Sequence, residues 1–437
     1  MSPTVRATPL GAAFDLLAAY EAGGAFIERN GLGVATGPLS DGIEIGPAAD
    51  LHALGAATVA TLREIEAPAG VVPLAIGALP FAPEPASMWI PRRCVSRGDD
   101  GETWLLDVTD DAAEAAPFRP ERVVGDLPHE AFRPVQLAQE PTAEVYAAAV
   151  RSALARIETG ELDKVVLART LRVSAGRELD PRRLAHRLRA VEPHCFTFAV
   201  PTWQGPPSSI AGRNREVPAE SRRGRVGGTP DEQGTLVGAS PELLLSRRGR
   251  RVRSVPLAGT ALRSGDPDED LANAAALADS AKEREEHAIV VAAVEAVLGA
   301  YCDDLSFDTE PVLEPTANVW HLATRFEGVL RDPAVSALEL VAALHPTPAV
   351  CGAPPSVARA CIEALEPFDR GAYAGPVGWV DARGDGDWAI ALRCAALDGE
   401  RATLYAGAGI VAGSDPAREV DETDRKFRAF LDSLRWG

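Results

Sequence analysis

The stretch Tyr405 to Lys426, YAGAGIVAGSDPAREVDETDRK, constrains this chain more tightly than any other. It opens as a strand in which Gly407 and Gly409 leave one face bare, so another group can approach the backbone closely. Ser414 or Asp415 can cap the helix that follows, and Pro416 suits its first turn. On that helix Glu419, Glu422 and Lys426 fall at i, i+3 and i+7 and share a face. A bare strand beside two carboxylates and an ammonium is an arrangement for gripping a small polar ligand, directly or through a metal ion. A solvated charged face gives the same pattern, because charged residues usually stay exposed.

A second helix carries a matching pair. In DSAKEREEHAIVVAAVEAVLG (279–299) the apolar line runs through Val290, Ala293, Val294, Val297 and Leu298. Extended toward the N-terminus, that line meets Glu286 and Glu283. Exposed glutamates would lie opposite an apolar stripe, and carboxylates that point inward need a cation or a donor. The competing reading keeps them at the helix N-terminus, where the dipole favours negative charge. Four acids in two E-x-x-E pairs, without histidine or cysteine partners, suit Mg²⁺ rather than zinc.

Further chemistry sits on strands. KVVLARTLRV (164–173) puts Lys164 on the face of Val166, Ala168 and Thr170. Such a lysine is either edge protection or a partly desolvated amine able to act as a base. LVGASPELLLSRR (236–248) is interrupted by Pro241, which implies a bulge or an edge. Glu242 follows it, as a turn residue or as a carboxyl with a raised pKa. VRSVPLAGTALR (252–263) offers backbone again at Ala258, Gly259 and Thr260. NVWHLATRFEGVL (318–330) reads as one strand with His321 near its start; a lone histidine is more often structural than catalytic. Residues 371–397 read as a hairpin turning at Arg383-Gly384-Asp385-Gly386. Its second strand sets Trp388, Ile390, Leu392 and Cys394 on one face, and Ala389, Ala391, Arg393 and Ala395 on the other. An arginine flanked by alanines leaves room for a carboxylate partner.

The remaining segments supply framework. Residues 1–135 alternate short apolar runs with Gly and Pro, as in VVPLAIGALPF (71–81), and read as strands without chemistry. Residues 109–140 read as a surface connection, and Pro141 as the start of a helix that Gly160 ends. A helix at 180–192 and a strand at 195–202 follow. Residues 203–234 are rich in Gly, Pro, Ser and Arg and read as a mobile surface loop. Residues 338–355 read as a helix breaking into a Pro-rich loop, and 356–367 as another helix.

With 437 residues, 46% hydrophobic and 24% charged, the chain can bury a large core. A net charge of −19 argues against a nucleic-acid-binding or anionic-membrane face. Six scattered cysteines without a CxxC pair suggest neither zinc nor disulfides, and reduced thiols fit a cytoplasmic protein. The N-terminus shows neither a signal-peptide nor a membrane-span pattern.

KVVLAR, GASPELLL, PLAGTALR, AKEREEH, HLATRFEG, LHPTPAVCGAPP, ALRCA and GAGIVAGSDPAREVDETDRK together resemble the ordered motifs of the chorismate-utilising enzymes. Within them the chain is most similar to the isochorismate synthases. The resemblance spans 141–434, and the N-terminal third shares only its strand-rich texture. It implies one α+β (layered α/β) domain over 1–437, with antiparallel sheets packed face to face and helices outside.

It implies roles as well. Lys164 corresponds to the base that activates water for attack at C2 of chorismate, and Glu242 to the acid that protonates the departing C4 hydroxyl. A lysine base needs its pKa lowered and a glutamate acid needs its pKa raised. Glu286 and Glu422 correspond to Mg²⁺ ligands, and Glu283 and Glu419 to partners of metal-bound water. Arg393, with the backbone of Gly407, Ala408 and Gly409, corresponds to the site for the enolpyruvyl carboxylate. Gly259, Thr260, His321, Leu344 and Lys426 line the same pocket by analogy. Lys164 argues against the ammonia-using anthranilate and aminodeoxychorismate synthases. LHPTPAVCG favours isochorismate synthase over salicylate synthase, which would go on to eliminate pyruvate. The expected protein is a monomer acting on a small molecule, its product feeding a siderophore, menaquinone or a salicylate-derived compound.

Overall fold

The computed structural model describes residues 3–109, 118–120, 136–202 and 234–435. The loop expected at 203–234 lies outside them except for Gly234. The first part of the chain gives β1 (Thr4–Leu10), β2 (Phe26–Arg29), β3 (Leu32–Thr36), β4 (Ile43–Ala48), α1 (Leu51–Arg63), β5 (Leu74–Ala78), β6 (Ala86–Ile90), β7 (Arg93–Arg97) and β8 (Thr103–Thr109). Next come β9 (Gln136–Glu140), α2 (Ala143–Glu158), β10 (Lys164–Ser174), α3 (Pro181–Val191), β11 (Phe196–Thr202), β12 (Gly234–Ser240), β13 (Leu243–Arg248), β14 (Arg251–Val255) and β15 (Leu257–Leu262). Then follow α4 (Pro267–Asp279), α5 (Ala281–Tyr301), β16 (Cys302–Phe307), β17 (Val312–Pro315), β18 (Val319–Ala323), β19 (Phe326–Leu330) and α6 (Ala337–Leu344). The last elements are β20 (Gly352–Ala353), α7 (Pro355–Leu365), β21 (Pro376–Asp381), β22 (Gly386–Ile390), β23 (Cys394–Asp398), β24 (Arg401–Ile410) and α8 (Pro416–Arg435).

The named strands form two large antiparallel sheets and a small one. The first runs β1-β8-β7-β3-β2-β11-β12-β23-β24-β10-β20, with β9 also paired to β10. The second runs β16-β19-β14-β13-β22-β21-β5-β6-β4, and the third β15-β18-β17. Strands from the N-terminal third thus lie in both large sheets, beside strands that carry the site: β2 pairs with β11, and β5 with β21. Alternation along a strand splits its side chains between two faces. On β12, Leu236 joins one apolar core with Leu245, Trp388 and Ile390 of the second sheet. Val237 and Ala239 join another core, with Leu184 and Leu188 of α3 and Phe427 and Phe430 of α8. The first sheet therefore packs on the second through one face and is covered by helices on the other. The antiparallel layers with helices outside agree with the expected fold class.

Several expected elements divide where the chain changes sheets. The single strand read at 236–248 is β12 in the first sheet and β13 in the second. The strand at 252–263 becomes β14 and β15, and that at 318–330 becomes β18 and β19. Pro241 marks a crossover between sheets, not a bulge within one ladder. The continuous second hairpin strand is also corrected: β22 stops at Ile390, β23 starts at Cys394, and Arg393 between them has φ of 47°. Helix α2 is capped by the Thr142 side chain and begins after Pro141. Gly160, with φ of 74°, lies just beyond its end.

Candidate active site

β12 pairs with β23 in the first sheet and β13 with β22 in the second, so one two-stranded ribbon passes between the sheets. Glu242 and Arg393 stand at its bend. Ala239 N–H donates to Arg393 O (3.2 Å) and Ile390 N–H donates to Glu242 O (3.3 Å), which pins the two crossings together. Glu242 is buried, and loss of solvent pushes its carboxyl up to about 8 although nearby Lys164 pulls it down. It is therefore a protonated acid near neutral pH, not an exposed turn residue.

Lys164 opens β10 opposite Ala353 of β20 and is fully buried, which removes the edge-protection reading. Its Nζ lies 2.8 Å from Oε1 of Glu286. The approach is off the hydrogen-bond axis, and Nζ has no hydrogen-bond partner among the described residues. Glu286 is buried too. Burial pushes its carboxyl up, but the Lys164 ammonium outweighs burial and holds it below the usual carboxylate range.

On α5 Glu286 is buried and Glu283 half-buried, as the inward-pointing reading expected, and on α8 the buried Glu419 and half-buried Glu422 remove the solvated-face reading. On α5, Ser280 caps the helix by accepting from Glu283 N–H (3.4 Å), while Oε2 of Glu283 accepts from Thr260 N–H (3.3 Å). On α8, the Asp415 side chain accepts from Ala417 and Arg418 N–H (both 3.0 Å), which settles the choice of cap. Glu419 is buried, and desolvation with the Glu422 charge pushes its carboxyl up to about 7. Burial and the charges of Glu286 and Glu422 also raise Glu283. Mutual repulsion of this kind means that carboxyls from both helices face one volume. Three lysines enter it. Lys282 Nζ lies 3.4 Å from Glu283 and 3.3 Å from Glu419, and Lys426 Nζ lies 2.6 Å from Glu422 while donating to Gly407 O (2.8 Å). The all-carboxylate donor set fits a hard divalent cation. As the side chains stand, each acid faces a lysine, and among the described residues no three acidic, His or Cys groups close on one point.

The bare glycine face of β24 is filled from the protein itself. A Cβ on Gly409 would lie 2.1 Å from Oε1 of Glu286 and 3.2 Å from Cε of Lys164. A Cβ on Gly407 would lie 3.1 Å from the Tyr373 hydroxyl. Gly259, at φ of 77°, plays the same part for Glu283, whose Oε2 would be 3.2 Å from an added Cβ. Gly409 and Gly259 thus admit the Glu286 and Glu283 carboxylates to the strands, and Gly407 the Tyr373 hydroxyl.

His321 links this corner to Arg393. Nη2 of Arg393 lies 2.6 Å from Nε2 of His321, and a guanidinium can only donate. Nε2 therefore accepts, and the proton on Nδ1 is directed at Gly259 O (3.2 Å), with Thr260 Oγ1 also near (3.3 Å). Burial, with Arg393 and Lys426 nearby, holds the imidazole neutral, its pKa well below the ordinary value.

Glu242, Gly259, Thr260, Glu283, Glu286, His321, Arg393, Gly407, Gly409, Glu422 and Lys426 line one pocket. Lys164 meets it through Glu286 and Glu419 through Lys282. Besides these two, Leu344 and Ala408 also fall outside the lining. Leu344 is buried in the core at the end of α6, and the Ala408 side chain points to the face of β24 opposite Gly407 and Gly409. Lys282, Tyr373 and Tyr405 line the pocket without having been singled out. Lys282 directly precedes Glu283, and Tyr405 alternates with Gly407 and Gly409, so both signals were present in the sequence. Tyr373 stacks on Tyr405 at 4.7 Å, a tertiary contact that no local pattern carries.

A two-sheet sandwich that brings a protonated carboxyl, an arginine and two acidic pairs to one pocket, with a buried amine behind them, fits an enzyme site for a small anionic ligand. The chain belongs to the chorismate-binding enzyme family, whose model matches residues 95–205 and 228–435. Isochorismate synthase DhbC of Bacillus subtilis is 39% identical over 406 residues, which cover 91% of this chain and 90% of that protein. Isochorismate synthase EntC of Escherichia coli K12 is 35% identical over 361 residues, 82% of this chain and 80% of that one. The solved structure of MenF, the menaquinone-specific isochorismate synthase from Escherichia coli, shares the fold. Its TM-score is 0.76 at 23% identity, covering 99% of this chain and 94% of its own.

Proposed function

We propose that the protein is an isochorismate synthase that adds water at C2 of chorismate and releases the C4 hydroxyl. The observation that carries this reading is the pairing of a buried Lys164 with a Glu242 carboxyl pushed up to about 8 by burial. Lys164, once it has given up its own proton, takes a proton from water as the water oxygen bonds to C2. The ring double bonds shift, and the C4–O bond breaks as Glu242 gives its proton to the departing hydroxyl. One water enters and one leaves, so the reaction is an isomerisation, and the two side chains regain their starting states by proton exchange. Arg393, held by His321, is positioned to receive a substrate carboxylate.

Glu286 and Glu422 would hold Mg²⁺, with Glu283 and Glu419 standing behind them. The ion would supply positive charge for the ring carboxylate of the substrate. Residues 1–437 act as one catalytic unit, and a cytoplasmic monomer is the simplest form. No helix among the described residues is long and apolar enough to cross a membrane. Incubation with chorismate and Mg²⁺, followed by product identification, tests the reading. Isochorismate as the main product supports it, whereas salicylate with pyruvate, or no turnover, rejects it.

A further inference from the structure

Arg393 can grip a carboxylate only if its guanidinium is aimed, and it starts from an irregular position. It lies in the crossing between β22 and β23, with φ of 47° and no strand ladder of its own. Its side chain must therefore be oriented by tertiary contacts. His321 holds Nη2 at 2.6 Å. The other contact is Glu192, the residue that closes α3, whose Oε1 lies 3.4 Å from Nη1. Glu192 is buried and fixed from behind: Oε2 accepts from Ala317 N–H (3.0 Å), and the Cys195 thiol donates to it (3.8 Å). A carboxylate clamped to backbone on one oxygen and to a guanidinium on the other works as an anchor. With two of the arginine's five N–H donors accounted for by Glu192 and His321, the rest remain for a ligand.

We infer that Glu192 is a positioning residue that aims Arg393 at the substrate carboxylate. The inference rests on the chorismate reading above. Glu192 touches neither the base nor the acid, so it acts on substrate affinity and not on the chemical step. Glu192→Ala is expected to raise KM for chorismate about tenfold, with kcat within about threefold of the parent. Glu192→Gln keeps one acceptor oxygen, enough for Arg393 or Ala317 but not both, and is expected to raise KM less than alanine does, about threefold, which also guards against misfolding of the alanine variant.

A double-mutant cycle isolates the link. In an Arg393→Ala background, Glu192→Ala is expected to leave KM where it stands. A KM unchanged by Glu192→Ala in the parent overturns the inference. So does an equal rise in both backgrounds, or a fall in kcat that tracks a fall in Tm. Turnover by the parent with an unchanged variant KM removes only the positioning role. A parent that does not turn chorismate over removes the functional reading and this inference with it.

Discussion

The ammonium of Lys164 sits 2.8 Å from Oε1 of Glu286, with the lysine fully buried and the glutamate side chain only 10% exposed. Neither charge has enough water to stand alone. Removing one partner of a buried pair leaves the other uncompensated and costs roughly 3–5 kcal/mol. Glu286→Ala should therefore lower stability by about 3 kcal/mol in denaturant unfolding and abolish turnover as well. Lys164→Ala should reduce kcat by roughly 10²–10⁴-fold, the usual share of a general base. A Lys164→Ala protein with full turnover would remove that residue from the mechanism.

Glu242 sets the alkaline limit. Its carboxyl must be protonated to act as an acid, and burial pushes it up to about 8. The expected kcat/KM falls above pH about 8, about tenfold per pH unit, and Glu242→Gln is inactive at every pH. Stability follows the same group. In the unfolded chain the carboxyl titrates near 4.5, so between 4.5 and about 8 the folded state holds a proton that the unfolded state has lost. Stability therefore declines as pH rises through that window. Glu242→Gln removes the effect, so its Tm should gain on the parent's as pH rises from 5 to 9. Parallel Tm curves for the two proteins would show that Glu242 titrates normally.

Lys282 bridges the acid pairs of α5 and α8, at 3.4 Å from Glu283 and 3.3 Å from Glu419. A divalent cation among the same carboxylates would meet its positive charge. Two unit charges about 5 Å apart repel by about 3 kcal/mol at an effective dielectric of about 20. Lys282 is one-third exposed, so solvent screens much of this. Lys282→Met is thus expected to tighten Mg²⁺ binding about tenfold, read by calorimetric titration without substrate. Weaker binding would mean that Lys282 chiefly holds the two helices in register. Chelation should stop turnover in the parent, and Mg²⁺ should restore it.

The inward acids were legible because amphipathic period places them. Glu283 and Glu286 continue an apolar stripe, and Glu419, Glu422 and Lys426 share a face, so helix geometry marks both sets, while their convergence on one pocket came with the family resemblance. The sheet changes were not legible. Alternation reads the same on both sides of Pro241 and of Arg393, because a strand that leaves one sheet for another keeps its period-two pattern. Glu242 and Arg393 therefore appeared as strand or turn residues, when both occupy the bend of one ribbon. Leu344 and Ala408 were carried by motif resemblance, and adjacency to a site in sequence does not decide which way a side chain points.

The tight fit at Gly409 offers the most local test of the site. A methyl group there would lie 2.1 Å from Oε1 of Glu286 and 2.9 Å from its Cδ, closer than real carbon atoms approach. β24 is paired with β10 through this position, so the strand has little freedom to withdraw. Glu286 would have to move, breaking its contact with Lys164 and leaving the acid set. Gly409→Ala is therefore expected to lower kcat/KM by at least about a hundredfold and to leave buried charge uncompensated, with a Tm loss resembling that of Glu286→Ala. Gly299→Ala in α5 is the control, since nothing lies within 4 Å of its added methyl. There alanine should stabilise by about 0.5–1 kcal/mol and leave kinetics alone, as is usual for a helical glycine. If Gly409→Ala turned over chorismate as fast as the Gly299→Ala control, Glu286 would not need the place the fold gives it.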